Sequence, residues 1–170
     1  EAFSVESLHD GVRIAWECPT GMRVGEHEGE RCYFGTIPPE VHYHQRRNAF
    51  RAAVKQSEQV KVQLGGTRLR NPLDGLMLDI SASGCKIRLS GDASKQLQPG
   101  QIYEGFCAQL PVGKLEAAVE LRHTRYDDKL DVTFAGLHFD NLSGLQQRLI
   151  ERFVYQLQRE ARRFESDGFL

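Results

Sequence analysis

Apolar and polar residues alternate along most of the chain after Phe50. Val60, Val62 and Leu64 are separated by Lys61 and Gln63, and Gly65-Gly66 closes the run. Leu76, Leu78 and Ile80 are separated by Met77 and Asp79; Cys85, Ile87 and Leu89 by Lys86 and Arg88. Gln98-Pro99-Gly100 is a turn signal ahead of a run from Ile102 to Leu110, and Pro111-Val112-Gly113 turns the chain again. Leu115, Ala117, Val119 and Leu121 share one face, with Glu116, Glu120 and Arg122 on the other. Asp127-Asp128 marks a hairpin into Leu130, Val132 and Phe134, after which the next apolar residues are Leu137 and Phe139. A one-residue slip beside Gly136 predicts a bulge. A period of two, with one apolar face per run, is the mark of half-buried strands. About six such strands at this spacing predict a small antiparallel β-barrel.

The period then changes. Ser143 with Gln146 three residues on is a capping-box pattern. Leu145, Leu149, Phe153 and Leu157 recur at helical spacing with Ile150 and Val154 beside them, so an amphipathic helix is predicted from Ser143 to Phe164. Its apolar stripe is expected to pack on a barrel opening or on a neighbouring domain. Arg162-Arg163 suits the negative end of the helix dipole.

Residues 1–44 have a different texture. Val12 and Ile14 alternate with Arg13 and Ala15 before Trp16, and Cys32 to Ile37 forms a second strand pattern. Thr20 to Arg31, rich in glycine and charge, reads as a loop. A few strands cannot bury an independent core, so this segment is expected to be part of a larger N-terminal domain. Pro38-Pro39 stops its last strand. The predicted organisation is a partial domain over 1–44, a linker over 45–51, and the barrel with its helix over 52–165.

Composition narrows the function classes. The 170 residues carry 22 Lys and Arg against 23 Asp and Glu, a formal charge of −1. That balance argues against bulk nucleic-acid binding, which needs a positive excess. With 40% hydrophobic and 26% charged residues the chain reads as an ordinary soluble domain, and no run approaches the length of a membrane span. Cys18, Cys32, Cys85 and Cys107 are too scattered for a metal site, Cys85 and Cys107 fit strand interiors, and a reducing, cytoplasmic setting is expected.

Two short stretches carry candidate chemistry. In Gln45-Arg46-Arg47-Asn48-Ala49-Phe50-Arg51, three arginines crowd the junction between the two textures. Guanidinium is a planar, permanently charged fork suited to phosphate and to guanine O6/N7. The second stretch is the turn Asp79-Ile80-Ser81-Ala82-Ser83-Gly84. A carboxylate at Asp79 matches the paired N–H donors of guanine's Watson–Crick edge. Ser81 offers a hydroxyl on the same strand face. Gly84 allows an unusual backbone conformation or a close approach by ligand. Read alone, each stretch also fits a solvated basic linker or a plain serine turn.

Together, Arg47-x-x-x-Arg51 and Asp79-x-Ser81-x-x-Gly84, separated by Ala52 to Leu78, resemble the paired signature of the PilZ domain family. The resemblance covers residues from about 45 to 165. The strands ahead of Gln45 look like those of the YcgR-type flagellar brake group, in which a split β-barrel precedes the PilZ barrel. The front part is shorter than that group's N-terminal domain. The resemblance implies a mainly β fold: a six-stranded antiparallel PilZ β-barrel with a C-terminal α-helix, preceded by part of a split barrel. It implies a receptor for cyclic di-GMP and not an enzyme. Arg47 and Arg51 would take phosphates and guanine, and Asp79, Ser81 and Gly84 would shape the barrel side. Arg46, directly before the motif, goes in this family with an intercalated ligand dimer. No other cofactor or metal is implied. The partner would be flagellar motor proteins, stator or switch complex, with location in the cytoplasm at the flagellar basal body. The output would be restrained swimming through a changed interdomain orientation; the alternative is an adaptor in pilus or exopolysaccharide control.

Two rival classes are weaker. His42, His44, His123 and His138 are not beside a plausible nucleophile, and no phosphate loop or metal motif is present, which leaves little to suggest catalysis. A general oligonucleotide barrel needs interleaved aromatic and basic residues on one strand face, and Tyr103 and Phe106 are too sparse for that.

Overall fold

The computed structural model describes residues 2–9, 12–44, 49–55 and 57–167. Its contacts divide the chain into two units, Glu1–Asn48 and Ala49–Leu170.

In the first unit, β1 (Phe3–His9) pairs antiparallel with β2 (Val12–Cys18), from Phe3 opposite Cys18 to His9 opposite Val12. β5 (His42–His44) adds to the other edge of β2, with Arg13 opposite His44. β3 (Arg23–His27) and β4 (Glu30–Phe34) form a separate hairpin. Its turn residues Glu28 and Gly29 both have positive φ, 53° and 82°, the conformation of a tight two-residue hairpin turn. The expected loop over Thr20–Arg31 is therefore corrected: it contains β3 and the turn. Most of β3 is exposed, so it shows no one-sided apolar alternation to mark it, whereas β4 overlaps the strand expected over Cys32 to Ile37 but runs from Glu30 to Phe34.

The second unit is the barrel. Its strands are β6 (Ala52–Ala53), β7 (Lys61–Gly65), β8 (Leu73–Ile80), β9 (Gly84–Ser90), β10 (Ile102–Leu110), β11 (Gly113–Asp127) and β12 (Val132–Asp140). Six of them close a ring in the order β7-β8-β9-β12-β11-β10, every pair antiparallel. Closure removes the exposed edges of an open sheet. The two residues of β6 extend the ladder along β8 beyond the reach of β7: Lys61 to Leu64 pair with Leu73 to Leu76, and Ala52 and Ala53 pair with Ile80 and Asp79.

The interior follows the sequence pattern over most strands. Val62, Leu64, Ile87, Leu89, Leu115, Val119 and Leu121 are buried. Phe106 and Phe139 meet inside with ring centroids 6.2 Å apart. Two phases differ from expectation. On β8 the inward residues are Met77 and Ile80, because the register with β9 shifts between Met77 and Asp79. On β12 the buried side chains are those of Thr133, Ala135, Leu137 and Phe139, an unbroken alternation, with Gly136 buried between them. Val132 and Phe134 face outward instead. Phe134 lies between the Lys86 ammonium, 5.3 Å from its centroid, and the Arg125 guanidinium, at 5.1 Å. That cation–π sandwich suits an aromatic ring outside the core. The bulge expected beside Gly136 exists, but it sits on the facing strand β11.

Helix α1 (Gly144–Asp167) follows β12. The capping box forms as expected: Ser143 N–H donates to Gln146 Oε1 at 2.7 Å, and Gln146 N–H donates to Ser143 Oγ at 3.3 Å. The helix packs on β11 and β6, burying Ile150, Phe153 and Leu157 fully and Leu149 and Val154 partly. Leu145 is 78% exposed and lies off this stripe. Among the described residues, no helix is long and apolar enough to cross a membrane.

Candidate ligand-binding site

The hairpin joining β8 to β9 is built by its own serine. Ser81 is buried, its hydroxyl donates to the Gly84 carbonyl at 3.2 Å, and it accepts from Ser83 N–H at 3.3 Å. The Ser81 N–H donates to the same carbonyl at 2.8 Å. Ser83 O accepts from Phe139 N–H at 2.9 Å, which ties the turn to β12. Gly84 serves a need of the barrel itself. A β-carbon there would lie 2.1 Å from the Leu137 carbonyl oxygen, so only glycine lets β9 approach β12 this closely. Its φ is not among the positive ones, so the reason is the close approach of protein backbone.

Arg51 is brought to this turn by β6. Ala52 opposite Ile80, in an antiparallel ladder, sets Arg51 beside Ser81. Arg51, Ser81, Ser83 and Gly84 then line one cleft of about 250 Å³, together with Cys85, Lys86, Arg122, His123, Gly136, Leu137 and His138. The cleft has three cationic side chains and two imidazoles, with no carboxylate among its described lining residues. Such a concentration of donors favours an anion. Burial, and then the nearby Asp79 carboxylate, push the Cys85 thiol well above its ordinary range, so it stays protonated and inert.

Of the residues singled out from sequence, Arg51, Ser81 and Gly84 come together. Asp79 is half-buried on β8 between Ala53 and Lys86 in the ladder. It adjoins the cleft but does not line it. Arg46 and Arg47 lie outside the described residues. Sequence reasoning did not single out Lys86 or Arg122, and weighed His123 and His138 only as weak candidates for catalysis. The signal available was their period on the outward faces of β9, β11 and β12. It becomes visible only once Lys86 is known to pair with Gly136, Gly136 with His123, and Gly84 with His138. Among the described residues, no group of three or more His, Cys, Asp or Glu is placed to hold a metal.

The family model for the PilZ domain matches residues 45–156. Curated relatives named flagellar brake protein YcgR include one from Nitrosomonas eutropha, 25% identical over 94% of this chain and 63% of its own length. Another, from Thioalkalivibrio sulfidiphilus, is 29% identical over 85% of this chain and 57% of its own length. The chain thus spans about three fifths of these relatives. Among solved structures, YcgR from Escherichia coli in complex with c-di-GMP aligns with a TM-score of 0.65 at 19% identity, over 100% of this chain and 70% of that one. The Bacillus subtilis inhibitor of motility MotI/DgrA aligns with a TM-score of 0.69 at 18% identity, over 94% of this chain and 73% of that one. At these identities the structural likeness is a likeness of fold.

Proposed function

Because the chain belongs to the PilZ domain family, we propose that it is a receptor for cyclic di-GMP of the flagellar brake type, acting by binding and not by catalysis. The observation that carries this reading is the cleft in which Arg51 of the first motif half meets Ser81 and Gly84 of the second. Cyclic di-GMP presents two phosphates and two guanines. Guanidinium can clasp the first and pair with or stack on the second. The names of the curated relatives support the flagellar assignment.

In this proposal Arg47 and Arg51 hold the ligand, Asp79 reads the guanine edge from the strand beside the cleft, and Arg46 admits an intercalated ligand dimer. Ligand that engages both the arginine segment and the barrel favours the state in which the two are closed together. The N-terminal unit is thereby reoriented, and the altered surface acts on flagellar motor proteins in the cytoplasm at the basal body. Titration calorimetry with cyclic di-GMP tests the receptor: binding, with stoichiometry reduced in Arg46→Ala, is expected. Small-angle scattering with and without ligand tests the reorientation, and superimposable profiles would contradict it.

A further inference from the structure

Strand β11 carries one residue more than β12 at the cleft. Leu121 pairs with Leu137 and His123 pairs with Gly136, which are consecutive on β12, so Arg122 is the inserted residue. An insertion of this kind breaks the alternation of side chains and re-aims them. Leu121 remains fully buried, and the next inward group is the Thr124 hydroxyl. The two residues between them, Arg122 and His123, both turn to the outer wall and line the cleft.

Two features show that this placement is kept at local expense. Thr124 Oγ1 is buried without a hydrogen-bond partner among the described residues, a destabilising arrangement. Opposite the bulge, Gly136 leaves empty the space that the His123 ring occupies: a β-carbon at Gly136 would lie 2.1 Å from His123 Cε1 and 2.6 Å from Nδ1. Two of the cleft's three cations already have a contact of their own. Glu120 Oε1 lies 3.4 Å from Arg122 Nη1 and steadies the guanidinium, whose five donors leave others for a ligand. Lys86 sits over Phe134.

We propose that Arg122 and His123 form a second wall of the cleft and contact the cyclic dinucleotide directly, Arg122 at a phosphate and the His123 ring against a guanine face. This deepens the receptor reading and rests on it. Arg51 approaches from the segment before β6, whereas Arg122 and His123 approach from the β11 bulge. The ligand is then gripped from two elements far apart in sequence.

Calorimetric titration of the full chain with cyclic di-GMP tests this, comparing wild type with Arg51→Ala, Arg122→Ala, His123→Ala and His123→Phe. Thermal melts of each variant confirm that it is folded. Losses of about fivefold or more are expected for Arg122→Ala and His123→Ala, in line with base–side-chain stacking and charge-assisted contacts. The Arg122→Ala loss should shrink at high salt, and His123→Phe, which keeps a flat ring, should retain most of the affinity. If either alanine variant binds as wild type does, or His123→Phe binds as poorly as His123→Ala, the second wall is overturned. In that case a loss at Arg51→Ala would leave the receptor reading standing. No binding by wild type would overturn both.

Discussion

The imidazole of His123 occupies the place that a side chain at residue 136 would take. The ring's Cε1 lies 2.1 Å from where a β-carbon of Gly136 would stand, and the two residues are ladder partners on β11 and β12. Gly84 on β9, whose partner His138 is two ladder pairs along β12 from Gly136, is constrained by backbone instead, since its β-carbon would meet the Leu137 carbonyl oxygen at 2.1 Å. The two glycines therefore respond differently to the same substitution.

Gly84→Ala forces two strands apart and should destabilise the barrel by about 1–3 kcal/mol or more, as overpacking does. Gly136→Ala meets first the exposed His123 ring, which can swing into solvent, so its stability loss should be smaller while its ligand affinity falls. Chemical denaturation midpoints and ligand titration on both variants check this. Equal stability losses would contradict it.

The helix cap is a second test. Ser143 and Gln146 satisfy each other's backbone N–H groups, and Ser143→Ala should cost about 1 kcal/mol, the usual worth of an N-cap hydroxyl. Urea unfolding measures it. Because α1 packs on β6, directly after Arg51, the variant should also loosen the cleft's first wall and weaken ligand binding modestly.

A third prediction concerns pH. Glu58 is half-buried beside the Glu160 carboxyl. Burial first, and then a hydrogen bond with Glu160, raise the Glu58 pKa. Glu160 is lowered, chiefly by the Gln156 side-chain hydrogen bond. A raised carboxyl stabilises the fold while it holds its proton. That contribution is complete below its unfolded-state pKa and fades as pH rises through the folded value. The Glu160 contribution runs the other way, present above its unfolded-state pKa and lost as pH falls through the folded one. Glu58→Gln imitates the protonated form, so it should melt above wild type at neutral and alkaline pH and converge with it in acid. A difference that grows toward acid in thermal melts would contradict this.

How far the sequence reveals this molecule depends on the element. Leu115 to Leu121 and Cys85 to Leu89 were legible because neither run carries an inserted residue: the register shifts opposite them place the extra residues on β10 and β8. Met77 was not, because the shift between Met77 and Asp79 exchanges the faces of β8. Phe134 looked like core because hydrophobicity alone does not register the two cations that hold it outside. The slip near Gly136 announced a bulge, but its location on β11 depends on pairing, which one sequence does not display. The same dependence hid Arg122 and His123 from the site. Arg51, Ser81 and Gly84 were legible because they sit in short local patterns. The roles of Ser81 and Gly84 in building the turn required the neighbouring Leu137 carbonyl and Ser83 amide to be placed.

The most direct measurement is a calorimetric titration of cyclic di-GMP into wild type and Arg51→Ala. Wild type should bind with a stoichiometry that indicates a ligand dimer, and Arg51→Ala should bind at least about tenfold more weakly, a change of roughly 1.4 kcal/mol. No binding by wild type, or the same affinity in both proteins, would contradict the assignment of the cleft at Arg51, Ser81 and Gly84 as the receptor site.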